Sequence, residues 1–166
     1  ALQFPHWGEL QTIEGYTVDQ RAEVGLLSRN ILIQGAEDSL ASSFGGHGMV
    51  MPGGTAHIEG VEFFRMGQLG HAARYPFHWH LVDRLGDGTS TGAGQYVRNS
   101  SVHHSFHRAY VIHGTSNVTL QEHVALDVFS HAFVVSEDGD ERDNQIIGNL
   151  GELIRKAHSL DLAFPT

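Results

Sequence analysis

Arg108-Ala-Tyr-Val-Ile-His113 and His131-Ala-Phe-Val-Val-Ser136 are two apolar runs of the same cast, and placing Ala109–Ile112 on Ala132–Val135 gives a period of 23 residues. Asn99-Ser-Ser-Val102 precedes the first run and Asn117-Val-Thr-Leu120 the second, with Val102 and Leu120 18 residues apart. Asn144-Gln-Ile-Ile147 begins a further unit. Upstream, Ile58-Glu-Gly-Val61 followed by Pro76-Phe-His-Trp-His80 reads as the preceding one, with a longer insert at Asp83–Gly94. Short strands and turns recurring every ~20–25 residues are what stacked solenoid coils require. A β-sandwich is the architecture expected without the repeat. With it, the expected fold is all-β, a parallel β-helix of few coils, a piece of a longer solenoid.

The rest of the chain fits that reading. Twenty glycines and many short β-rich runs separated by polar turns mark strands at Arg29–Gln34, Gly48–Met51, His57–Phe64, Pro76–Val82, Tyr96–His103, Ala109–His113, Asn117–His123, Ala132–Ser136 and Asn144–Asn149. One helix is expected, Leu150–His158, from the spacing of Leu150, Leu153 and Ile154. The 166 residues fit one domain: a lead-in over 1–20, stacked coils over 21–149, and a tail or short helix over 150–166. Coil ends exposed in such a fragment call for further domains or a partner chain to cap them.

Composition narrows the chemistry. The chain has no cysteine, so disulfides and thiolate metal sites are excluded. Its net charge is −9 with no basic run, which argues against a nucleic-acid partner. No apolar stretch approaches the ~20 residues of a membrane span, and no stretch of these 166 residues reads as a signal peptide. Thirteen histidines are the outstanding feature; protonating all of them would turn −9 into +4. Imidazole is the commonest transition-metal ligand and the side chain that titrates nearest neutrality.

Strand parity sorts those histidines. His78 and His80 project to one face of their strand, with Phe77 and Trp79 on the other. In the proposed alignment His80 stacks on His113 and then on Ser136 or Glu137, and His78 on Val111 and Val134. Adjacent coils lie about 4.8 Å apart, so His80 and His113 can share an ion. His104 and His131, in neighbouring coils, complete the set, and His47 sits in the glycine-rich bend Gly45-Gly-His-Gly48. The expected ion is a divalent transition metal, zinc first, with copper or iron also suited to such ligands. The alternative reading has the histidines as internal ladders, hydrogen-bonded to backbone. His6, His71, His107, His123 and His158 read as surface or loop residues, and His57 and His103 as ambiguous.

Two further features carry chemistry. Ser136-Glu-Asp-Gly-Asp-Glu-Arg-Asp143 holds five carboxylates; it reads as a solvated loop, or as a calcium site over 137–143 or a general acid/base. Arg21–Glu23 is expected as an ion pair. Asn99 and Asn117 head glycosylation sequons but are more simply turn residues that tolerate left-handed backbone.

Several motifs, in order, resemble the β-helix region of G8-domain proteins, a family with hyaluronan-binding, cell-surface hyaluronidase and fibrocystin-like members. They are Arg21-Ala-Glu-Val-Gly-Leu-Leu-Ser-Arg-Asn-Ile31, Glu59-Gly-Val-Glu62, Met66-Gly-Gln68, Tyr75-Pro-Phe-His-Trp-His80, Val102-His-His104, Val111-Ile-His-Gly114 and Glu137-Asp-Gly139. The glycine-rich G8 module itself is not evident, and the lack of cysteine suits a bacterial or other cysteine-free relative. The resemblance implies a right-handed β-helix, a secreted or cell-surface setting, and hyaluronan binding or depolymerisation. The expectation is therefore a metal-dependent polysaccharide-degrading domain, hydrolase or lyase, with Glu137 and Asp138 as acid/base. The rival is a non-catalytic carbohydrate-binding or structural module.

Overall fold

The computed structural model describes residues 8–85, 91–135 and 141–156. An antiparallel hairpin, β1 (Leu10–Ile13) and β2 (Tyr16–Asp19), leads in. Strands then follow in threes. The first coil holds β3 (Ile31–Gln34), a single helical turn α1 (Ser39–Ser42), β4 (Met49–Val50) and β5 (His57–Glu59). The second holds β6 (Val61–Phe64), β7 (Phe77–His80) and β8 (Tyr96–Arg98), the third β9 (Ser101–Ser105), β10 (Tyr110–His113) and β11 (Thr119–Gln121). The fourth holds β12 (Val124–Phe129), β13 (Phe133–Val135) and β14 (Gln145–Ile147), and β15 (Leu150–Arg155) opens a fifth. Like strands of successive coils pair in parallel, giving three sheets: β3-β6-β9-β12-β15, β4-β7-β10-β13 and β5-β8-β11-β14. This is a parallel β-helix.

The 23-residue period is the register itself: Tyr110 pairs with Phe133, Val111 with Val134 and Ile112 with Val135. The secondary alignment of Val102 on Leu120 is corrected. Val102 stacks on Ala125, and Leu120 lies on the third sheet, over Val97 and under Ile146.

Corners are made by single residues in the left-handed region, stacked coil on coil. Gly60, Asn99, Glu122 and Gly148 have φ of 67, 49, 56 and 61°. A second column is Gly94, Asn117 and Asp143; a third, at a bend of the first sheet, is Arg65, His104, Asp127 and Leu153. One left-handed residue between extended neighbours redirects the chain without breaking the ladder: Asn99 N–H reaches Gln121 O at 3.0 Å, and Glu122 N–H reaches Ile147 O at 2.9 Å. For this reason the runs 57–64 and 96–103, expected as single strands, are each two strands meeting at Gly60 or Asn99. Both sequon asparagines are left-handed corner residues, though in different columns.

Three further expectations are overturned. The segment expected as a helix from Leu150 is strand β15, paired with β12; His158 lies outside the described residues. Its helical spacing arises because the left-handed bulge at Leu153 shifts strand parity. Arg21 pairs with Asp19 at 2.6 Å and not with Glu23, since the hairpin's end sets those two side by side. His107 and His123 are buried and not on the surface. His123 Nε2–H donates to Val97 O at 2.9 Å, and its Nδ1 accepts from Ser100 N–H at 3.3 Å. The strap 21–30 packs over this corner, close enough that a Cβ on Gly25 would meet Val124 at 2.7 Å. His107 Nδ1 accepts from the Arg108 N–H at 2.9 Å.

The bore of the helix is filled by Val61, Phe63, Phe77, Trp79, Val97, Val102, Tyr110, Ile112, Leu120, Ala125 and Val128. Burying a ring system such as Trp79 removes some 150–250 Å² from water. Its indole N–H needs a partner and finds Gln95 Oε1 at 3.0 Å, which also accepts from Ala56 N–H. Trp79 thus anchors β7 from inside, and the alternation throws His78 and His80 outward.

Candidate metal centre

His78 and His80 stand on the outer face of β7, and His113 stacks on His80 in the next coil. One ring nitrogen from each of the three lies within 4.8 Å of the other two. His80 Nδ1 and His113 Nδ1 are 3.2 Å apart. A tetrahedral ion with metal–nitrogen bonds of ~2.05 Å holds its ligand atoms about 3.3 Å apart, so this pair is already at chelating distance.

His78 faces outward yet is 0% exposed, because the chain before β7 folds back over it. Tyr75, itself buried, sets its ring 4.9 Å from His78. His107 meets the Tyr75 ring edge-on at 4.7 Å, and the Arg108 guanidinium lies 5.5 Å over it. Beneath this cover His78 Nδ1–H donates to Ala73 O at 3.3 Å. A carbonyl can only accept, so the proton is on Nδ1 and the lone pair on Nε2. That Nε2 is buried and has no hydrogen-bond partner. Burial, then the neighbouring His80, push His78 down to about 3, so at neutral pH the ring is uncharged. An orphaned, deprotonated imidazole nitrogen beside two more imidazoles fits a late first-row transition metal. The half-buried His80 and His113 leave one side of the cluster open.

The other candidates lie elsewhere. His47 is half-buried, with Nε2 2.6 Å from the Arg74 Nη1 donor; burial and then Arg74 lower its pKa. His131 is exposed at the corner before β13, 2.5 Å from Ser130 Oγ, and burial followed by Arg108 lowers its pKa. His104 is on the first sheet, against His103. Among the described residues the three-histidine group includes none of them. Glu137 and Asp138 lie outside the described residues. Of the acidic loop, Glu141 is seen, its Oε1 accepting the Gly114 N–H at 2.9 Å, next to His113. His57 is exposed and stacked on Tyr96 at 5.0 Å. The wall of Tyr75, His107 and Arg108 escaped the sequence reading, although Tyr75 abuts the His-Trp-His strand and His107-Arg108 opens the His113 strand.

Three parallel sheets, corners stacked in columns and a histidine cluster across two coils define a parallel β-helix of the CEMIP beta-helix family, whose model matches residues 43–163. The chain belongs to that family. It is 42% identical over 137 residues to communication mutant protein F of Dictyostelium discoideum, an alignment covering 82% of the chain and 12% of the relative. It is 40% identical over 136 residues to a G8 domain-containing protein of the same organism (82% and 11%). It is 39% identical over 165 residues to the cell surface hyaluronidase CEMIP2 of Homo sapiens (92% and 12%). The chain thus spans about an eighth of the length of these relatives. No helix among the described residues is long and apolar enough to cross a membrane.

Proposed function

We propose that this chain is a metal-holding β-helix domain that acts on an extracellular, hyaluronan-like polysaccharide at the secreted or cell-surface face of its parent protein. The observation that carries the metal reading is the buried, unpartnered Nε2 of His78, in a ring that packs against those of His80 and His113. The polysaccharide reading is supported by the name of the human relative. His78 Nε2 with a nitrogen each from His80 and His113 would hold the ion, zinc first, with copper or iron as the other candidates. Such an ion supplies Lewis acidity, acidifying bound water or neutralising a uronate carboxylate.

The chain's own contribution is orientation and exclusion of water. The Ala73 carbonyl fixes the His78 tautomer, Tyr75 and Arg108 roof the cluster, and Trp79 locks the strand. Glu137 or Asp138 is the proposed acid/base, and calcium is a second proposed ion for the 137–143 loop.

The non-catalytic reading has its own support. His123 is a buried histidine satisfied by backbone at both ring nitrogens, the behaviour that reading requires of all of them. Two measurements separate the readings. Elemental analysis of the purified chain, against a His78→Ala/His80→Ala variant, should find stoichiometric transition metal in the first only. Release of reducing or unsaturated ends from hyaluronan should then depend on that metal; a metal-loaded chain that binds hyaluronan without cleaving it is a binding module.

A further inference from the structure

On the outer face of the first sheet, away from the three-histidine group, a second set of imidazoles is wired differently. Glu62 on β6 and His103 on β9 are joined at 2.9 Å, Oε1 to Nε2. His103 Nδ1 meets His104 Nδ1 at 2.9 Å. The other oxygen of Glu62 accepts the Arg29 N–H at 3.1 Å, so the strap fixes the carboxylate's orientation. His104 can turn its ring toward His103 because it is a left-handed corner residue, φ 53°, displaced from strand alternation. Phe64 backs both rings, stacked on His103 at 4.8 Å and edge-on to His104 at 5.5 Å, and the Arg65 guanidinium lies 4.7 Å from the Phe64 ring centre. Asp127 Oδ2 stands 3.9 Å from His104 Nε2, and Asp127 is itself paired with Arg155.

The proton positions follow from what each group can do. An ionised carboxylate only accepts, so His103 carries its proton on Nε2. Its Nδ1 is then bare and must accept from His104 Nδ1–H. The His104 proton being on Nδ1, its Nε2 is bare, on a side chain 49% exposed. By contrast the side chains of His103 and Glu62 are 9% and 15% exposed. A buried carboxylate orients a buried imidazole, which orients an imidazole at the surface.

We infer that Glu62, His103 and His104 form a metal-independent acid–base site whose working end is His104 Nε2 and whose substrate group is a hydroxyl, of water or of a sugar, set against that nitrogen. The hydroxyl O–H breaks, an N–H forms on Nε2, and the electron pair stays on the oxygen. The imidazolium so formed is flanked by His103, through which Glu62 acts, and by Asp127. Holding the right tautomer and stabilising the imidazolium is what an orienting carboxylate does for a base. The site goes beyond the metal reading and does not rest on it.

The test is run in chelator on the 166-residue chain and on the His78→Ala/His80→Ala variant, so that loss of the metal site leaves the outcome readable. Long-range 15N–1H correlation should place the His104 proton on Nδ1 and the His103 proton on Nε2. In Glu62→Ala, His104 should shift to the Nε2–H form. With 4-nitrophenyl acetate as probe, water deprotonated at His104 attacks the ester carbonyl and nitrophenolate leaves. His104→Gln, a surface change that should leave the fold intact by circular dichroism, should lower this chelator-insensitive rate several-fold. Replacing two other exposed histidines, His57→Gln and His71→Gln, should not. A wild-type His104 protonated on Nε2, or an ester rate unchanged in His104→Gln, overturns the proposal.

Discussion

His78 and His123 are buried for different reasons, and their substitutions should separate structure from function. His123 is satisfied by Val97 O and Ser100 N–H; replacing it with Ala strands those groups and opens a cavity, with an expected loss of about 2–4 kcal/mol in urea melts. His78 leaves Nε2 without a partner, so His78→Leu in metal-free protein should change stability by under ~1 kcal/mol while abolishing metal uptake. Both imidazoles are held neutral by burial, His78 at about 3 and His123 at about 4 against an ordinary 6.5. The unfolded chain therefore binds protons that the folded chain refuses between those values. Stability should be full above pH 6.5 and fall steadily from pH 6.5 to 4; thermal melts of metal-free protein that stay flat across that window would contradict it. His-Trp-His alternation was legible because period 2 is a property of any strand. His107 and His123 were not, since an imidazole with backbone partners looks in sequence like a surface one.

At the scale of the element, the strand interiors and the Asn99 and Asn117 corners were legible, and the remaining corners were not. Apolar runs reveal which residues face the bore, but a left-handed residue inserted between two extended ones carries no hydrophobic signature when it is Glu122, Asp127 or Leu153. Leu153 made β15 resemble a helix, while Gly60 and Asn99 split two expected strands. Asp127 hid β12, whose alternation breaks there. The corners should accordingly be sensitive to backbone and not to side chain. Asn117, exposed at φ 63°, should tolerate Gly, whereas Asn117→Val should cost about 1–2 kcal/mol in chemical denaturation, because a β-branched residue pays heavily for left-handed backbone. Equal stability of the two variants would show that the corner relaxes by another route.

In the whole molecule, the coils stack with both ends uncovered among the described residues. β3 closes one end with Ile31, Leu32 and Ile33 exposed; β14 and β15 close the other with Ile146, Ile147, Leu153 and Ile154 exposed. Parallel strands with free edges and apolar ends invite pairing. Light scattering should therefore show concentration-dependent self-association of this chain, reduced in an Ile33→Lys/Ile146→Lys variant. The stacking also brings His113 onto His80, joining residues 33 positions apart in sequence. The period foretold that meeting, but the Ala73 carbonyl and the Tyr75 roof depend on a loop with no repeat to betray it. The most direct measurement is the transition-metal content of the purified chain beside the His78→Ala/His80→Ala variant. Stoichiometric metal in the first and none in the second is expected. A metal-free wild-type chain after incubation with zinc, copper or ferrous iron, or equal retention by the variant, would contradict the metal centre.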